Sequence, residues 1–115
     1  MKYALTSIVC LGTSVEDVLD LMIAEGSRFV IVITEQRRVC GVCTFGDFLR
    51  VKKEVLSGVI DNLMNPNFEF CTAGQTSEQL VSAFLRTKAL AIPILNESDE
   101  LIDVVTPWDL LIPSV

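Results

Sequence analysis

The sequence predicts an α+β protein made of two copies of a β-α-β-β-α unit. Three observations lead to this prediction: a gapless internal repeat, amphipathic helical stretches that alternate with short β-branched runs, and a length that suits one domain. The chain has 115 residues, of which 50% are apolar. A chain of that length buries roughly two thirds of its surface on folding, so we expect the two repeats to form one globular domain.

The repeat becomes visible when the sequence is shifted by 62 positions, which places residues 14–49 on residues 76–111 without a gap. The apolar pattern persists along the whole overlap. Six positions are identical: Glu16/Glu78, Glu35/Glu97, Val42/Val104, Thr44/Thr106, Asp47/Asp109 and Leu49/Leu111. We therefore expect residues 1–58 to form the first repeat and residues 59–115 the second.

Each repeat opens with a short strand candidate, Ile8 to Leu11 in the first and Phe68 to Cys71 in the second. An amphipathic helix follows. Apolar residues recur at helical spacing after Ser14, which forms a predicted capping box with Asp17, and again after Thr76 with Gln79. The apolar positions are Val15, Val18, Leu19, Met22 and Ile23, and then Leu80, Phe84 and Leu85.

Two strands and a second helix complete each repeat. The runs Phe29 to Ile33 and Ala91 to Leu95 are short and rich in β-branched residues, which is typical of buried strands. Polar hairpins at 34–38 and 96–100 lead to second strands at 39–43 and 101–105. Between the repeats, turn residues at 57–58 and 65–67 bracket a short apolar connector.

Composition excludes several function classes. The net charge of −6 without a basic patch argues against nucleic-acid binding. Histidine, the commonest general base and metal ligand, is absent from the sequence, so we expect no enzyme activity. The longest apolar run, Ala89 to Leu95, is far too short to span a bilayer. The start of the chain lacks the apolar core of a signal peptide, and the four cysteines then indicate reduced thiols in the cytoplasm.

A Thr-x-x-Asp string recurs at each strand-to-helix junction, as Thr44 with Asp47 and Thr106 with Asp109. It has a structural interpretation, since Thr at an N-cap with an acidic residue three positions on is itself a capping box. It also has a functional one. A helix N-terminus and a Thr hydroxyl can hold a phosphate, while a carboxylate can accept from a ribose diol. Together these groups indicate a nucleotide.

These strings resemble the cystathionine-β-synthase (CBS) domain, and their doubling resembles a tandem CBS pair, or Bateman module. The pieces that carry the resemblance are Ile92-Pro93-Ile94, Gly41 to Asp47, Val104 to Asp109, and the connector Ile60 to Pro66. The resemblance implies two CBS motifs packed through their sheets with pseudo-two-fold symmetry. It also implies an adenosine ligand in a cleft between the motifs: AMP, ADP, ATP or S-adenosylmethionine.

The resemblance assigns candidate ligand residues in both repeats. The resemblance implies that Asp lies on the ribose, that Thr lies near phosphate, and that apolar strand residues surround the adenine. The residues are Thr44, Asp47, Phe29, Val30 and Ile31 in the first repeat, and Thr106, Asp109, Ala91, Ile92 and Pro93 in the second. Two positions depart from the family pattern: Ile31 stands where proline is usual, and Asp103 where glycine is usual.

Charge makes the two candidate sites unequal. Residues 1–58 carry seven basic and seven acidic residues, whereas residues 59–115 carry two basic and eight acidic ones. Arg50 follows Asp47 by three positions, while Ile112 occupies the equivalent place in the second repeat. We therefore expect Arg50 to help the first repeat bind a phosphorylated ligand, although a solvent-exposed helix face explains the same basic residue.

Two further features have competing interpretations. Cys40 and Cys43 are spaced like a redox or zinc pair, but residues three apart on a strand point to opposite faces, which favours two structural thiols and no metal site. Trp108, the only tryptophan, interrupts the second Thr-x-x-Asp. It either shields an adenine or packs against a neighbouring subunit.

The leading hypothesis is a regulatory module without catalysis, which binds an adenosine nucleotide and relays it to a fused or separate effector enzyme. The string Thr44 to Arg50 most resembles CBS pairs attached to sugar-nucleotide transferases and sugar-phosphate isomerases. The alternative is a ligand-free module for dimerisation or interaction. In both cases we expect a homodimer formed through helix faces, because CBS pairs resemble one another in that mode of pairing. A thiol redox protein is the third hypothesis.

Overall fold

The computed structural model describes residues 6–111 and divides the chain into two compact units, Met1–Phe68 and Glu69–Val115. Each unit holds one copy of the predicted repeat. The stretches 1–5 and 112–115 lie outside the described residues, and with them the start of the chain and Ile112, the counterpart of Arg50.

Both units follow the order β-α-β-β-α, which confirms the predicted α+β fold class. The first unit contains β1 (Thr6–Cys10), α1 (Val15–Glu25), β2 (Phe29–Ile33), β3 (Val39–Thr44) and α2 (Phe45–Arg50). Two short 3-10 turns, Lys53–Ser57 and Ile60–Asn62, form the connector. The second unit contains β4 (Cys71–Thr72), α3 (Ser77–Thr87), β5 (Ile92–Leu95), β6 (Leu101–Val105) and α4 (Pro107–Leu111).

The two long helices begin directly after the predicted capping residues, Ser14 and Thr76. Ser14 Oγ accepts the Asp17 N–H at 3.0 Å ahead of α1. Thr76 and Gln79 form a complete capping box ahead of α3, with bonds of 2.9 and 3.2 Å in the two directions. Each cap satisfies backbone donors that the first helical turn leaves unpaired.

Each unit has one three-stranded sheet with the same topology. In the first, β1 runs parallel to the central strand β2, and β3 runs antiparallel to it. In the second, β4, β5 and β6 repeat this arrangement. The register repeats as well: Ile31 lies opposite Val42, and 62 positions later Pro93 lies opposite Val104.

Irregularities also recur at equivalent positions. The register slips between Val32 and Ile33 in the first sheet and between Ile94 and Leu95 in the second. The hairpin turns that follow each contain a non-glycine residue with positive φ, Arg37 at 66° and Asp99 at 62°. The two repeats therefore share the register slip and the turn conformation, although few of their side chains are identical.

Alternation along the strands divides each sheet into a helix-covered face and a second face. The core of the first unit combines β2 residues Val30 and Val32 with α1 residues Val18 and Met22. In the second unit, Ile92 and Ile94 of β5 pack with Ala83 and Phe84 of α3. The apolar positions at helical spacing thus explain how each helix covers its sheet.

Strand β4 is shorter than predicted, because the ladder covers Cys71–Thr72 and not Phe68 to Cys71. The cause lies in the neighbouring strand. Val104 N–H donates to Asp103 Oδ1 at 2.8 Å, so in the Pro93–Val104 pair the backbone groups point away from each other. Position 93 therefore faces β4, where proline has no N–H to donate. The ladder begins one residue later, at Ile94.

The connector packs on the first unit. Ile60 is fully buried in that unit's core, and Asn65 exchanges two backbone hydrogen bonds with Val42 on the outer edge of β3, at 3.0 and 2.8 Å. Gly41 makes this approach possible, since a Cβ there would lie 2.8 Å from Met64 Sδ and 3.0 Å from the Asn65 carbonyl. The boundary predicted between residues 58 and 59 stays a prediction from sequence.

Two apolar residues of the predicted helical pattern face solvent. Ile23 of α1 is 71% exposed, and its counterpart Leu85 of α3 is 74% exposed. The apolar stripes are thus wider than the surface that the sheets cover. Among residues 6–111, no helix is long and apolar enough to cross a membrane.

Candidate functional site

The first Thr-x-x-Asp string lies where β3 ends and α2 begins. Thr44 has extended backbone, and its N–H donates to Asp47 Oδ2 at 2.8 Å. Phe45 N–H donates to the Arg28 carbonyl at 3.0 Å, which ties the junction to the start of β2. The Asp47 side chain therefore caps the helix through the Thr44 N–H, as the capping interpretation predicts. This bond uses Asp47 Oδ2 and leaves Oδ1 available to other groups.

Arg50 occupies that second carboxylate oxygen, with Nη2 2.8 Å from Asp47 Oδ1. The guanidinium folds back over Gly46, where a Cβ would lie 3.2 Å from Arg50 Nη1. Partial burial raises the pKa of Asp47, but hydrogen bonds from Thr44 and the Arg50 guanidinium outweigh it, so the pKa lies below its usual value. The carboxylate is thus charged and oriented. Arg50 is 73% exposed, so its charge remains accessible to an anion from solvent.

The second Thr-x-x-Asp string repeats the backbone bond but not its surroundings. Thr106 N–H donates to Asp109 Oδ2 at 2.8 Å, and Thr106 Oγ1 donates to the same oxygen at 3.2 Å. Within the described part of the chain no cation pairs with Asp109. Trp108 takes the place of Gly46 and is half-exposed. Among residues 6–111, this junction therefore presents a carboxylate without a neutralising partner.

The six predicted apolar site residues divide between the two faces of their strands. Val30 and Ile92 belong to the helix-side cores, together with α1 and α3 respectively. Phe29 and Ile31 lie on the other face of β2, and Ala91 and Pro93 are related to them by the repeat. Because Phe29 is paired with Thr44, that second face is the one that continues into the Thr-x-x-Asp junction.

Thr6 belongs to the same row of the first sheet and was missed by the sequence argument. It pairs with Phe29, which in turn pairs with Thr44. Its Oγ1 is buried and has no hydrogen-bond partner among the described residues, although buried polar groups are nearly always paired. The signal available in the sequence was a hydroxyl at the start of a strand, where the second repeat has Phe68.

The four cysteines, all within the described residues, are free thiols and form no disulfide. Within residues 6–111, no group of three or more His, Cys, Asp or Glu side chains is arranged to hold a metal ion. Cys40 is partly exposed whereas Cys43 is buried, as expected for residues on opposite faces of β3. Burial and the nearby Asp47 raise the pKa of Cys43 to about 12. The thiol is therefore protonated at neutral pH and weakly nucleophilic.

Comparison with known proteins adds family and fold evidence. A family model described as the CBS domain matches residues 8–54 and 59–112. A search of curated protein sequences found no match. The structure of CBSX2 in complex with AMP is similar over 92% of this chain and 84% of its own, with a TM-score of 0.84 and 23% identity.

Two other solved structures show the same fold. The CBS domains of a transcriptional regulator from Streptococcus pneumoniae match at TM-score 0.80 and 22% identity, over 91% of this chain and 86% of theirs. The cytosolic domain of the Mg²⁺ channel MgtE in complex with ATP matches at 0.79 and 20%, over 92% and 43%. The chain spans 52% of a further similar chain. The two adjacent family matches and the shared fold show that this chain belongs to the CBS domain family, as a pair of CBS domains.

Proposed function

We propose that this CBS pair is a regulatory module that binds an adenosine nucleotide at its Thr-x-x-Asp junctions and has no chemistry of its own. The observation that carries the proposal is the repeated bond from Thr N–H to Asp Oδ2, 2.8 Å in both repeats, which orients a Thr hydroxyl and a carboxylate at a strand end. Similar structures in complex with AMP and with ATP support the ligand class.

The first repeat is the better site for a phosphorylated ligand. Asp47 Oδ1 can accept from a ribose hydroxyl if Arg50 turns from the carboxylate to the phosphate. Two unit charges about 4 Å apart interact by about 4 kcal/mol at an effective dielectric near 20, and here an exposed Arg50 supplies the favourable sign. The Thr6 hydroxyl, which has no partner among residues 6–111, adds a hydrogen-bonding group on the same face as Phe29.

The second repeat is the weaker site in this proposal. Asp109 has no cation partner among the described residues, and Asp103 is a further exposed acidic residue on β6. Ala91 and Pro93 also offer a smaller apolar surface than Phe29 and Ile31. A nucleoside or a cationic ligand such as S-adenosylmethionine suits this charge better than a nucleotide with several phosphates.

Calorimetric titration of the chain with AMP, ADP, ATP and S-adenosylmethionine tests the proposal. We expect at least one of them to bind with a dissociation constant below millimolar, and Asp47→Ala to weaken the phosphorylated ligands selectively. Asp109→Ala is the matched variant in the other repeat. Absence of binding by all four ligands would remove the nucleotide proposal.

The alternative is a module that only dimerises, and exposed apolar helix residues favour it. Ile23, Leu49 and Leu85 are 71%, 76% and 74% exposed, and the first and third occupy equivalent positions of α1 and α3. Burying such side chains against another subunit is worth about 1.5–3 kcal/mol each. We propose a homodimer through these helix faces in either case.

Sedimentation equilibrium of the wild-type chain and of the Ile23→Asp and Leu85→Asp variants tests the dimer. The wild type should be dimeric at micromolar concentration, and each substitution should shift it towards monomer. Glu16→Ala, on the exposed polar side of α1, serves as the control. A monomeric wild type would contradict the proposed dimer and with it the alternative function.

The output partner is proposed to be an effector to which the module is fused or bound, in the cytoplasm. The similar structures include part of a transcriptional regulator and part of a channel, and the string Thr44 to Arg50 resembles CBS pairs of sugar-nucleotide enzymes. Differential affinity of the nucleotide for two module conformations would bias such an effector.

A further inference from the structure

The ion pair between Arg50 and Asp47 occupies the carboxylate oxygen that the helix cap leaves available. Arg50 Nη2 lies 2.8 Å from Asp47 Oδ1, whereas Oδ2 accepts the Thr44 N–H at 2.8 Å. The Asp47 side chain is 32% exposed and the Arg50 side chain 73%. A ligand hydroxyl that approaches this carboxylate from solvent is therefore directed to Oδ1, which Arg50 already holds.

The guanidinium reaches Asp47 because position 46 has no side chain. A Cβ on Gly46 would lie 3.2 Å from Arg50 Nη1, and 3.7 Å from both Cζ and Nη2. The guanidinium thus lies directly over Gly46, inside the string that runs from Thr44 to Asp47. Arg50 is therefore part of the first junction, which we define as residues 44–50.

A ribose diol and the Arg50 guanidinium compete for Asp47 Oδ1. Both present N–H or O–H donors to a carboxylate that has no donors of its own. An unphosphorylated nucleoside that displaces Arg50 breaks an ion pair and offers the guanidinium no anion in return. A nucleotide offers its phosphate, which pairs with arginine through charge-assisted hydrogen bonds. The exchange is therefore unfavourable for the nucleoside and compensated for the nucleotide.

We propose that Arg50 is an autoinhibitory and specificity-determining residue of the first junction. Its ion pair with Asp47 disfavours adenosine compounds without a phosphate and admits those that carry one. This role rests on the nucleotide function proposed above and specifies which ligands the first junction takes. One side chain thus has two effects of opposite sign, because it weakens the binding of adenosine and strengthens that of AMP.

Both effects are modest, because the ion pair is exposed. Loss of an exposed pair changes an equilibrium constant by about twofold, so adenosine should bind about twofold more tightly to Arg50→Ala. Loss of a charge-assisted bond to phosphate should weaken AMP binding about fivefold. The preference of the first junction for AMP over adenosine therefore falls about tenfold in this variant.

The second junction serves as an internal control. No described cation pairs with Asp109, and Trp108 stands where the first junction has Gly46. The sequence has Ile112 at the position of Arg50. Adenosine binding at this junction should therefore be the same in Arg50→Ala and in the wild type.

Adenosine and AMP titrations of the ¹⁵N-labelled full chain measure the two junctions separately. The amides of Thr44 and Phe45 report on the first junction, and those of Thr106 and Trp108 on the second. In Arg50→Ala, the first pair of amides should give a lower dissociation constant for adenosine and a higher one for AMP. The second pair should give wild-type constants for both ligands.

Lys53→Ala is the matched control for the loss of charge. It removes an exposed cation at the start of the 3-10 turn that follows the junction. Adenosine and AMP should bind to this variant as they do to the wild type. A general effect of net charge would instead weaken AMP binding in both variants and leave adenosine unchanged in both, which would contradict the role of the ion pair.

Gly46→Ala separates the place of the guanidinium from its charge. The new methyl group crowds Arg50 Nη1 at 3.2 Å and moves the guanidinium away from Asp47, while the charge remains for a phosphate. Alanine also favours a helix over glycine, and circular dichroism verifies the fold. Adenosine should bind more tightly than to the wild type, and AMP at least as tightly. Weaker adenosine binding by this variant would contradict the proposal.

Ionic strength gives a second readout of the same competition. The Debye length falls from about 30 Å at 0.01 M salt to about 3 Å at 1 M, which weakens an exposed ion pair. Over this range, adenosine binding at the first junction should tighten more in the wild type than in Arg50→Ala. AMP binding should weaken more in the wild type. Equal salt dependence of the two proteins would indicate that Arg50 acts only through the local structure.

Two results would overturn the role of Arg50 and leave the nucleotide function intact. In the first, the wild type binds AMP at the first junction, but Arg50→Ala binds adenosine no more tightly. In the second, Arg50→Ala binds AMP as well as the wild type does. If neither AMP nor adenosine shifts the amides of Thr44 and Phe45, the nucleotide function itself fails at this junction, and the role of Arg50 fails with it.

Discussion

The two Thr-x-x-Asp junctions share one bond and differ in everything around it. In both, Thr N–H donates to Asp Oδ2 at 2.8 Å. In the first, Arg50 folds over Gly46 onto Asp47, whereas in the second Trp108 takes the glycine position and no described cation reaches Asp109. The bond follows from the spacing of three positions between Thr and Asp alone. The charge at the carboxylate depends on two other positions, and these make the repeats unequal as binding sites.

A second difference concerns what covers each repeat. The outer N–H of Val42 bonds to the Asn65 carbonyl of the connector, while the equivalent N–H of Val104 bonds to Asp103 Oδ1. Gly41 permits the first arrangement, and Asp103, which stands at the same position, supplies the second. The change from Gly41 to Asp103 at equivalent positions thus replaces the connector by an aspartate side chain of the strand itself. The aspartate also protects the outer edge of β6 from pairing with another strand.

The largest expected effect comes from removing the connector's anchor. Ile60→Ala leaves a cavity in the core of the first unit, where the side chain is fully buried, and should lower the free energy of unfolding by about 2–5 kcal/mol. Urea denaturation measures it. Ile102→Ala, at a half-exposed position of β6, is the control and should cost less than about 1 kcal/mol. Equal losses would show that the connector does not anchor the first repeat.

Gly41→Ala should have the next largest effect. The new methyl group would meet Met64 Sδ at 2.8 Å and the Asn65 carbonyl at 3.0 Å, and overpacking of this kind costs about 1–3 kcal/mol. Asp103→Ala in the second repeat removes only the bond to Val104 N–H and should cost about 1 kcal/mol. A larger loss for Asp103→Ala than for Gly41→Ala in the same urea experiment would reverse the comparison.

Much of this fold could be predicted from the sequence because its signals are local. Ser14 and Thr76 mark helix starts, and the β-branched runs mark the central strands, since capping and periodicity act within a few residues. The short β4 could not be predicted. Its length depends on whether the backbone of Pro93, which lacks an N–H, faces β4 or β6. That orientation is set by the register across three strands.

The residues of the candidate site could be predicted from the sequence better than the geometry in which they are arranged. Strand alternation alone separates Val30 from Phe29 and Ile31, so the two faces could have been assigned from the sequence. The engagement of Asp47 by Arg50 also follows from their spacing of three on a helix. The Thr6 hydroxyl has no partner in the described part of the chain, and its place beside Phe29 becomes visible only once β1 is set beside β2 in register.

The smallest of these effects concerns the ion pair between Arg50 and Asp47. It is tested by measuring the free energy of unfolding as a function of pH in the acid range. The pKa of Asp47 is lowered in the folded state, so the ionised carboxylate stabilises the fold. This contribution to the free energy of unfolding is fully present above the ordinary Asp pKa of 3.8 and is lost as pH falls through the folded-state pKa. Arg50→Ala raises that pKa towards the ordinary value and should make unfolding free energy less dependent on pH in the acid range. At neutral pH an exposed pair of this kind contributes about 0.5 kcal/mol.

The control for that titration is Lys53→Ala, which removes an exposed cation at the start of the first 3-10 turn. Its unfolding free energy should follow the wild-type pH dependence. If Arg50→Ala also follows the wild-type curve, the ion pair with Asp47 is not maintained in solution.

The inequality of the two junctions is tested most directly by one AMP titration followed through ¹H–¹⁵N correlation spectra of the full chain. The amides of Thr44, Phe45 and Asp47 report on the first junction, and those of Thr106, Trp108 and Asp109 on the second. We predict saturable shifts in both sets, with the first set saturating at lower AMP concentration. Saturation of the second set first, or identical curves for the two, would contradict the assignment of the phosphorylated ligand to the Arg50 side of the pair.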